Sequence, residues 1–247
     1  MNSAEYDNLE AAERTHWYYA GKREIVRYWL THSAPIKREQ TLLDCGAGTG
    51  IFAEEMTAFC QVLVLDDHEE ALRRLRTRFR PEQILSLSGD QVPLPDGSLD
   101  YVTALDVLEH VPDDVAVVRG FQRLLKAGGL AVVTVPAGMS LWSNWDEALH
   151  HYRRYHREQL RALFPNQLWE VLYINYTNVA VYPAVWLVRK WRRFARRSPG
   201  AASIRTEDKI PPRWLNALLQ AVFVGLAKVR VPFPFGVSLL LVARKRA

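Results

Sequence analysis

The fold of this chain is decided by one stretch, Leu42-Leu43-Asp44-Cys45-Gly46-Ala47-Gly48-Thr49-Gly50. Its apolar residues end a predicted strand, and its glycines lead into a predicted helix. Glycines at such a turn let the backbone approach a ligand that side chains would exclude. The stretch therefore predicts a ligand-binding turn, and a tight turn that binds nothing is the alternative.

The spacing of the glycines differs from two familiar nucleotide-binding loops. No Lys-Ser/Thr pair follows the last glycine, so the stretch is not a phosphate-binding P-loop. The dinucleotide motif Gly-x-Gly-x-x-Gly also fails, because Ile51 stands where that motif requires Gly or Ala. A nicotinamide-dependent oxidoreductase is therefore kept only as an alternative.

Apolar, strand-like runs alternate with helical patterns from residue 41 to residue 135, which predicts a parallel sheet with crossover helices. The runs are apolar without alternation, as expected for strands that are covered on both faces. The predicted strands are Thr41–Cys45, Gln61–Asp66, Ile84–Leu87, Leu99–Leu105, Gly129–Val135, Trp169–Tyr176 and Val237–Arg244. The predicted helices are Phe52–Phe59, Glu69–Arg80, Asp114–Leu125, Arg157–Phe164, Tyr182–Arg197 and Trp214–Val229.

The predicted elements divide the chain into a core and two helical additions. One or two amphipathic helices precede the first strand, and two more lie between the sixth and seventh strands. We predict a helical cap at 1–40, a core at 41–178, a basic amphipathic insertion at 179–236 and the final core strand at 237–247.

Charge is distributed unevenly along the chain. Residues 1–150 hold 14 Lys and Arg against 23 Asp and Glu, whereas residues 151–247 hold 18 against 4. The second part therefore suits an anionic substrate or surface. Its most basic run, Arg189 to Arg197, interleaves six cations with Trp191 and Phe194. This pattern favours an anionic membrane surface, with a solvated helix face as the alternative and nucleic acid as a less favoured partner.

Cysteine content and hydropathy indicate the compartment. Cys45 and Cys60 are too few for a disulfide framework, and no leader pattern begins the sequence. The most apolar run, Trp214 to Ala227, is shorter than the roughly 20 residues that a spanning helix needs. We predict a cytoplasmic protein, with peripheral attachment to the inner face of a membrane left open.

Several motifs together resemble the class I S-adenosylmethionine-dependent methyltransferases, especially the small-molecule branch that contains ubiquinone-biosynthesis-like enzymes. The resemblance covers residues 41–135 in order and spacing, through Asp44-x-Gly46-x-Gly48-x-Gly50, Asp66, Gly89-Asp90, Asp106 to His110, and Leu124 to Gly129. It implies a Rossmann-like, doubly wound α/β fold with a seven-stranded sheet whose last strand is antiparallel.

The resemblance also implies how S-adenosyl-L-methionine is held. The glycine loop would border its methionine part, Asp66 would bind the ribose and Asp90 would read the adenine. The segment from Glu13 to Tyr18 resembles a family segment that folds over the cofactor. A carboxylate placed like Asp66 can accept two ribose hydroxyl bonds. The predicted cofactor-binding residues are Asp44, Gly46, Gly48, Gly50, Asp66, Asp67, Asp90, Gln91, Leu105, Trp17 and Tyr18.

Residues after the fourth and fifth strands are the candidates for chemistry on the acceptor. His110 and His151 titrate in the range of a general base, although a structural role is the alternative for each. Asp106 and Glu109 would line the acceptor mouth or cap a turn, and for Glu109 the structural role is favoured. The predicted catalytic residues are His110, His151 and Asp106, and the predicted substrate-binding residues are Trp142, Trp145, Arg154 and Tyr155.

The sequence thus predicts an enzyme that methylates a small or lipid-linked acceptor at O, N or C by in-line displacement and releases S-adenosyl-L-homocysteine. A NAD-dependent oxidoreductase and a non-catalytic cofactor-binding protein are the alternatives. No metal ligand is assigned. The acceptor, the methylated atom and the oligomeric state stay open.

Overall fold

The computed structural model describes residues 3–87, 91–194 and 210–247. Within these ranges the strands are β1 (Thr41–Cys45), β2 (Gln61–Leu65), β3 (Ile84–Leu85), β4 (Leu99–Leu105), β5 (Leu125–Pro136), β6 (Trp169–Thr177) and β7 (Ser238–Lys245). The α-helices are α1 (Ser3–Thr15), α2 (Trp17–Ser33), α3 (Ile51–Met56), α4 (Glu69–Arg78), α5 (Asp114–Leu124), α6 (Asn144–Ala148), α7 (Arg157–Ala162), α8 (Tyr182–Phe194) and α9 (Arg213–Lys228).

The strands form one sheet in the order β3-β2-β1-β4-β5-β7-β6. The pairs from β3 to β5 are parallel, and β7 runs antiparallel to both β5 and β6. The order reverses at β1, so the carboxyl ends of β1 and β4 open a crevice where ligands bind in folds of this kind. The predicted seven-stranded, doubly wound sheet with an antiparallel last strand is confirmed.

Helices cover both faces of the sheet. Leu42 of β1 belongs to the buried cluster that α2 and α9 cover, whereas the next residue, Leu43, belongs to the cluster that α5 covers. Successive side chains of a strand point to opposite faces, so a strand that is apolar throughout is buried on both. The indole of Trp29 on α2 donates to the Ala227 carbonyl of α9 at 3.1 Å, which joins the two helices.

Two of the predicted boundaries that differ from the structure, and one helix that was not predicted, have identifiable physical reasons. Helix α4 ends at Arg78 rather than Arg80, because Arg80 precedes Pro81 and the residue before a proline disfavours helical backbone. Strand β3 ends at Leu85, since its pairing reaches only the last two residues of β2. Helix α6 was not predicted, and Ser143 and Asp146 form a reciprocal cap at its start.

The fifth strand also begins earlier than predicted. Leu125 already pairs with Leu99, and a register shift follows before Tyr101 pairs with Leu130. Gly128 and Gly129 were predicted to stop the preceding helix and start the strand. They lie instead within β5, and α5 ends at Leu124.

The two insertion helices differ in their burial. Helix α9 contributes Phe223, Val224 and Ala227 to the core, whereas α8 exposes Leu187 and Trp191. In the part of the chain that the structure describes, every helix is too short or too polar to cross a lipid bilayer.

Candidate active site

The glycine loop, residues 46–50, lies at the carboxyl end of β1. The amides of Gly46 and Ala47 donate to the Leu65 carbonyl at 2.8 and 3.0 Å, which ties the loop to the end of β2. Gly46 has φ +70°, and a Cβ there would lie 2.5 Å from Val107, so this position requires glycine. Gly48 has φ +56°, and a Cβ there would meet nothing within 4 Å. The backbone at Gly48 therefore borders open space.

Two carboxylates flank the glycine loop, as the sequence predicts. Asp66 follows β2 and accepts from the amides of Gly48 at 2.8 Å and His68 at 3.0 Å. Asp44 is buried and accepts from the Thr103 hydroxyl at 2.7 Å. Burial, together with the charges of Asp66 and Glu13, raises the pKa of Asp44 to about 7. Asp66 is half-buried, and burial also raises its pKa. The loop thus has one carboxylate in the core and one facing the crevice.

The other predicted cofactor residues next to the sheet have different environments. Asp67 and Gln91 are exposed, whereas Leu105 is half-buried at the end of β4. Asp90 lies outside the described residues. Gly50 has φ +80° and precedes α3, so the third glycine completes the turn into the helix.

The N-terminal segment covers the glycine loop from α1, through polar contacts that the sequence did not specify. The Thr49 hydroxyl donates to the carboxylate of Glu13, and Arg78 of α4 pairs with Glu10. Arg23 of α2 donates to the Glu13 carbonyl and to Glu55. Helix α1 is therefore fixed over the loop by polar contacts. Sequence patterns give no signal for such contacts, because the partners lie far apart along the chain.

Trp17 and Tyr18, both predicted to bind cofactor, lie against α9 and β7. The Trp17 amide donates to Asn216 at 2.9 Å, and its ring packs edge-on against Phe223 at 5.7 Å. The Tyr18 hydroxyl is 3.4 Å from the Ser238 hydroxyl, and its ring lines a small cavity with Lys22 and Thr134. These contacts place Tyr18 above the carboxyl end of β5.

Asp106 occupies a constrained position directly after β4. Its φ is +58°, and its carboxylate accepts from Lys22 Nζ at 2.7 Å and from the Thr134 hydroxyl at 2.9 Å. Burial opposes ionisation, but Lys22 and Thr134 outweigh it, and the pKa of Asp106 is lowered. Lys22 thus joins α2 to the crevice, and an ionised carboxylate is held beside the predicted histidines.

The structure brings His110 and His151 together. Their ring centroids are 4.6 Å apart in an edge-on arrangement. His151 Nδ1 is 3.1 Å from Asp146 Oδ1, and the same carboxylate oxygen accepts from Arg154 at 2.6 Å. Burial, and then the neighbouring His151, lowers the pKa of His110. His110 is therefore neutral at physiological pH and can accept a proton.

The predicted substrate-binding residues fall into two groups. Trp142 and Trp145 are half-buried around the start of α6. Arg154 is buried in its ion pair with Asp146, and Tyr155 is buried with its hydroxyl donating to Asp114 at 2.7 Å. The contacts of Arg154 and Tyr155 support a structural role, whereas the tryptophans border the segment that carries His151.

Comparison with known proteins agrees with this geometry. Residues 43–133 match the family model described as a methyltransferase domain. A Mycobacterium tuberculosis protein described as a probable S-adenosylmethionine-dependent methyltransferase is 27% identical over 150 residues, 57% of this chain and 55% of that protein. The ubiquinone biosynthesis O-methyltransferase of Albidiferax ferrireducens is 35% identical over 108 residues, 41% of this chain and 42% of that protein. The chain thus spans about half the length of these curated relatives.

Solved structures support the fold. A S-adenosylmethionine-dependent methyltransferase of Thermotoga maritima aligns with a TM-score of 0.61 at 17% identity, covering 98% of this chain and 95% of that one. A phosphoethanolamine N-methyltransferase of Haemonchus contortus, in complex with S-adenosyl-L-methionine, aligns with a TM-score of 0.55 at 19% identity. The alignment covers 90% of this chain and 52% of that one. The domain match over residues 43–133 and the curated relatives support a class I S-adenosylmethionine-dependent methyltransferase, and the solved structures support its fold.

Proposed function

We propose that this chain transfers the methyl group of S-adenosyl-L-methionine to a small or lipid-linked acceptor, with oxygen as the first candidate for the methylated atom. The observation that carries the proposal is the open space at Gly48 beside Asp66, next to the crevice that holds Asp106, His110 and His151. The match to relatives named for ubiquinone biosynthesis O-methylation supports an oxygen acceptor.

The residues present fit S-adenosyl-L-methionine. Its ribose hydroxyls can donate hydrogen bonds to Asp66, and its methionine part can lie along the loop at Gly48, where no side chain is in the way. When bound, the cofactor supplies an electrophilic methyl group on a sulfonium. The protein then contributes mainly by orienting the acceptor, since near-attack geometry supplies much of the acceleration.

A hydroxyl acceptor must also lose a proton. His110 can take it, because the residue is exposed and its lowered pKa keeps the imidazole neutral at physiological pH. Asp146 orients the ring of His151. Lys22 and Asp106 hold the end of β4 in place, so they position the acceptor rather than react with it.

Isotope transfer tests the proposal directly. The purified chain is incubated with cofactor carrying a labelled methyl group and with either the membrane or the soluble fraction of a cell extract. We expect label in an organic-extractable small molecule from the membrane fraction, identified by mass spectrometry. Label confined to protein or nucleic acid, or the absence of transfer in both fractions, would contradict it.

We also propose that the insertion carries the chain to an anionic membrane surface. Trp191 is 60% exposed on α8 and Trp214 is 70% exposed on α9, and Lys190 Nζ lies 4.6 Å from the centroid of the Trp186 ring. Aromatic rings and cations exposed together suit a lipid headgroup region.

Arg189 of the predicted basic run and Phe223 on α9 do not belong to this exposed set. Phe223 is 5% exposed and packs against Trp17. Arg189 is directed inward, where it donates to the Leu141 carbonyl and lies 3.8 Å from Asp146. Arg196 and Arg197 fall outside the described residues.

Liposome co-sedimentation tests this attachment. Wild type should bind vesicles that contain anionic phosphatidylglycerol, and the binding should weaken as salt rises, because each Lys or Arg near such a surface contributes about 1 kcal/mol. A variant with Trp191→Ala, Trp214→Ala and Lys190→Glu should lose the binding. Val115→Ala, an exposed apolar position on α5 across the sheet, serves as the matched control. Wild type that ignores anionic vesicles at low salt would refute the attachment.

A further inference from the structure

Three side chains that can bind a metal converge near the end of β4. The ligand atoms of Glu109, His110 and His151 all lie within 4.8 Å of one another. Glu109 and His110 end the short turn Leu108–His110, and the Tyr152 amide donates to the Glu109 carbonyl at 2.7 Å. This backbone bond holds the segment carrying His151 against the turn, so the three groups are placed by the fold.

Glu109 is the unusual member of the group. Its side chain is 0% exposed, and neither carboxylate oxygen has a hydrogen-bond partner among the described residues. A buried carboxylate without hydrogen bonds is costly unless it binds a cation or a proton. The structural role favoured for Glu109 from the sequence does not account for two unpartnered oxygens.

The histidines are arranged as metal ligands commonly are. A carboxylate that bonds one ring nitrogen fixes the tautomer and leaves the other nitrogen for a metal, and Asp146 stands in this relation to His151. Arg154 and the Ser143 amide hold Asp146 in turn. His110 is exposed beside the His151 ring, so its imidazole is accessible to an ion.

We propose that Glu109, His110 and His151 bind a divalent transition-metal ion of the Zn²⁺ type. Two imidazoles and one carboxylate suit zinc and its neighbours better than magnesium or calcium, which prefer oxygen ligands. Ligands about 2.1 Å from a tetrahedral zinc lie about 3.4 Å apart. The largest separation here, at most 4.8 Å, closes to that value through side-chain rotation.

The site adds to the chemistry of the acceptor, and this part rests on the proposed function. Three protein ligands leave one position of a tetrahedral ion open, as in catalytic zinc sites. An acceptor hydroxyl bound there would have a lower pKa and would lose its proton to solvent water, without a histidine base. His110 and His151 would then be ligands rather than bases. This differs from the prediction from the sequence, which assigned no metal ligand.

Metal binding by the untagged chain tests the site without any methyl transfer. The protein is treated with a chelator, dialysed and titrated with Zn²⁺ by calorimetry, and a Co²⁺ titration is followed by visible absorption. We expect one equivalent of each metal and visible Co²⁺ bands. His151→Ala and Glu109→Gln should weaken Zn²⁺ binding at least tenfold. His32→Ala, on an exposed turn of α2, is the matched control and should bind as wild type does.

Clear results would overturn the proposal. Wild type that binds no stoichiometric Zn²⁺ or Co²⁺ rules the site out, and so does unchanged binding in both variants. Thermal melting of the metal-free proteins shows whether the variants fold. If the variants do not fold, X-ray absorption of the Co²⁺ complex of wild type replaces them as the test. The spectrum must show imidazole ligands, and a spectrum without them contradicts the proposed site. Metal binding without label transfer would leave the site standing and refute only the proposed function.

Discussion

Alanine at Gly48 is expected to lower methyl-transfer turnover about a hundredfold. The new methyl group would enter the open space beside the loop, where the cofactor's methionine part is proposed to lie. A displacement of the bound cofactor by about 1 Å is enough for a loss of this size. The fold should tolerate the change, because φ +56° costs an alanine only about 1–2 kcal/mol and no protein atom lies within 4 Å of its Cβ.

Gly97→Ala provides the matched control for this experiment. Gly97 has φ +61°, and its Cβ would also meet nothing within 4 Å, so the backbone strain is the same. It lies before β4, at the opposite edge of the parallel strands from the glycine loop. Cofactor affinity measured by calorimetry, thermal melting and turnover should separate the two variants. Equal turnover in both would mean that the loop is a tight turn without a ligand.

Local patterns predicted the elements whose boundaries are set locally. Strands β1 and β4 match the prediction at both ends, because each is a mostly apolar run that ends before a polar residue or a glycine. The start of β5 was missed, since the pairing of Leu125 with Leu99 depends on a neighbouring strand and a register shift. Sequence periodicity does not report such pairing.

The same division holds within the site. Asp44 and Asp66 were found because the carboxyl ends of neighbouring parallel strands meet at one edge of the sheet. The pairing of Lys22 with Asp106 joins a cap helix to that edge, and no pattern in the sequence predicts it. Glu109 was assigned a structural role because its burial and its missing hydrogen bonds are properties of the folded chain.

Removal of α1 is expected to lower turnover about a hundredfold while the fold survives. A chain that lacks residues 1–14 loses the Glu13 carboxylate that accepts from Thr49 and the contacts of Glu10 with Arg74 and Arg78. The glycine loop would then open to water and hold the cofactor less firmly. Among the described side chains of α1, Ala12 alone is fully buried, so little core is lost.

The end point of this deletion matters, and residue 14 is chosen because α2 must stay whole. His16 caps α2, and Trp17 and Tyr18 pack against Phe223, so a deletion that extends through them would expose the core. Arg14→Ala is the control, since its exposed side chain forms only a surface pair with Glu10. Turnover and melting temperature are compared for the three proteins. If the truncated chain keeps full turnover, α1 is a passive cover and the prediction is wrong. If the truncated chain does not fold, the contacts of α1 are needed for the fold itself. Turnover of the Glu13→Ala variant then measures the contribution of the contact with Thr49 alone.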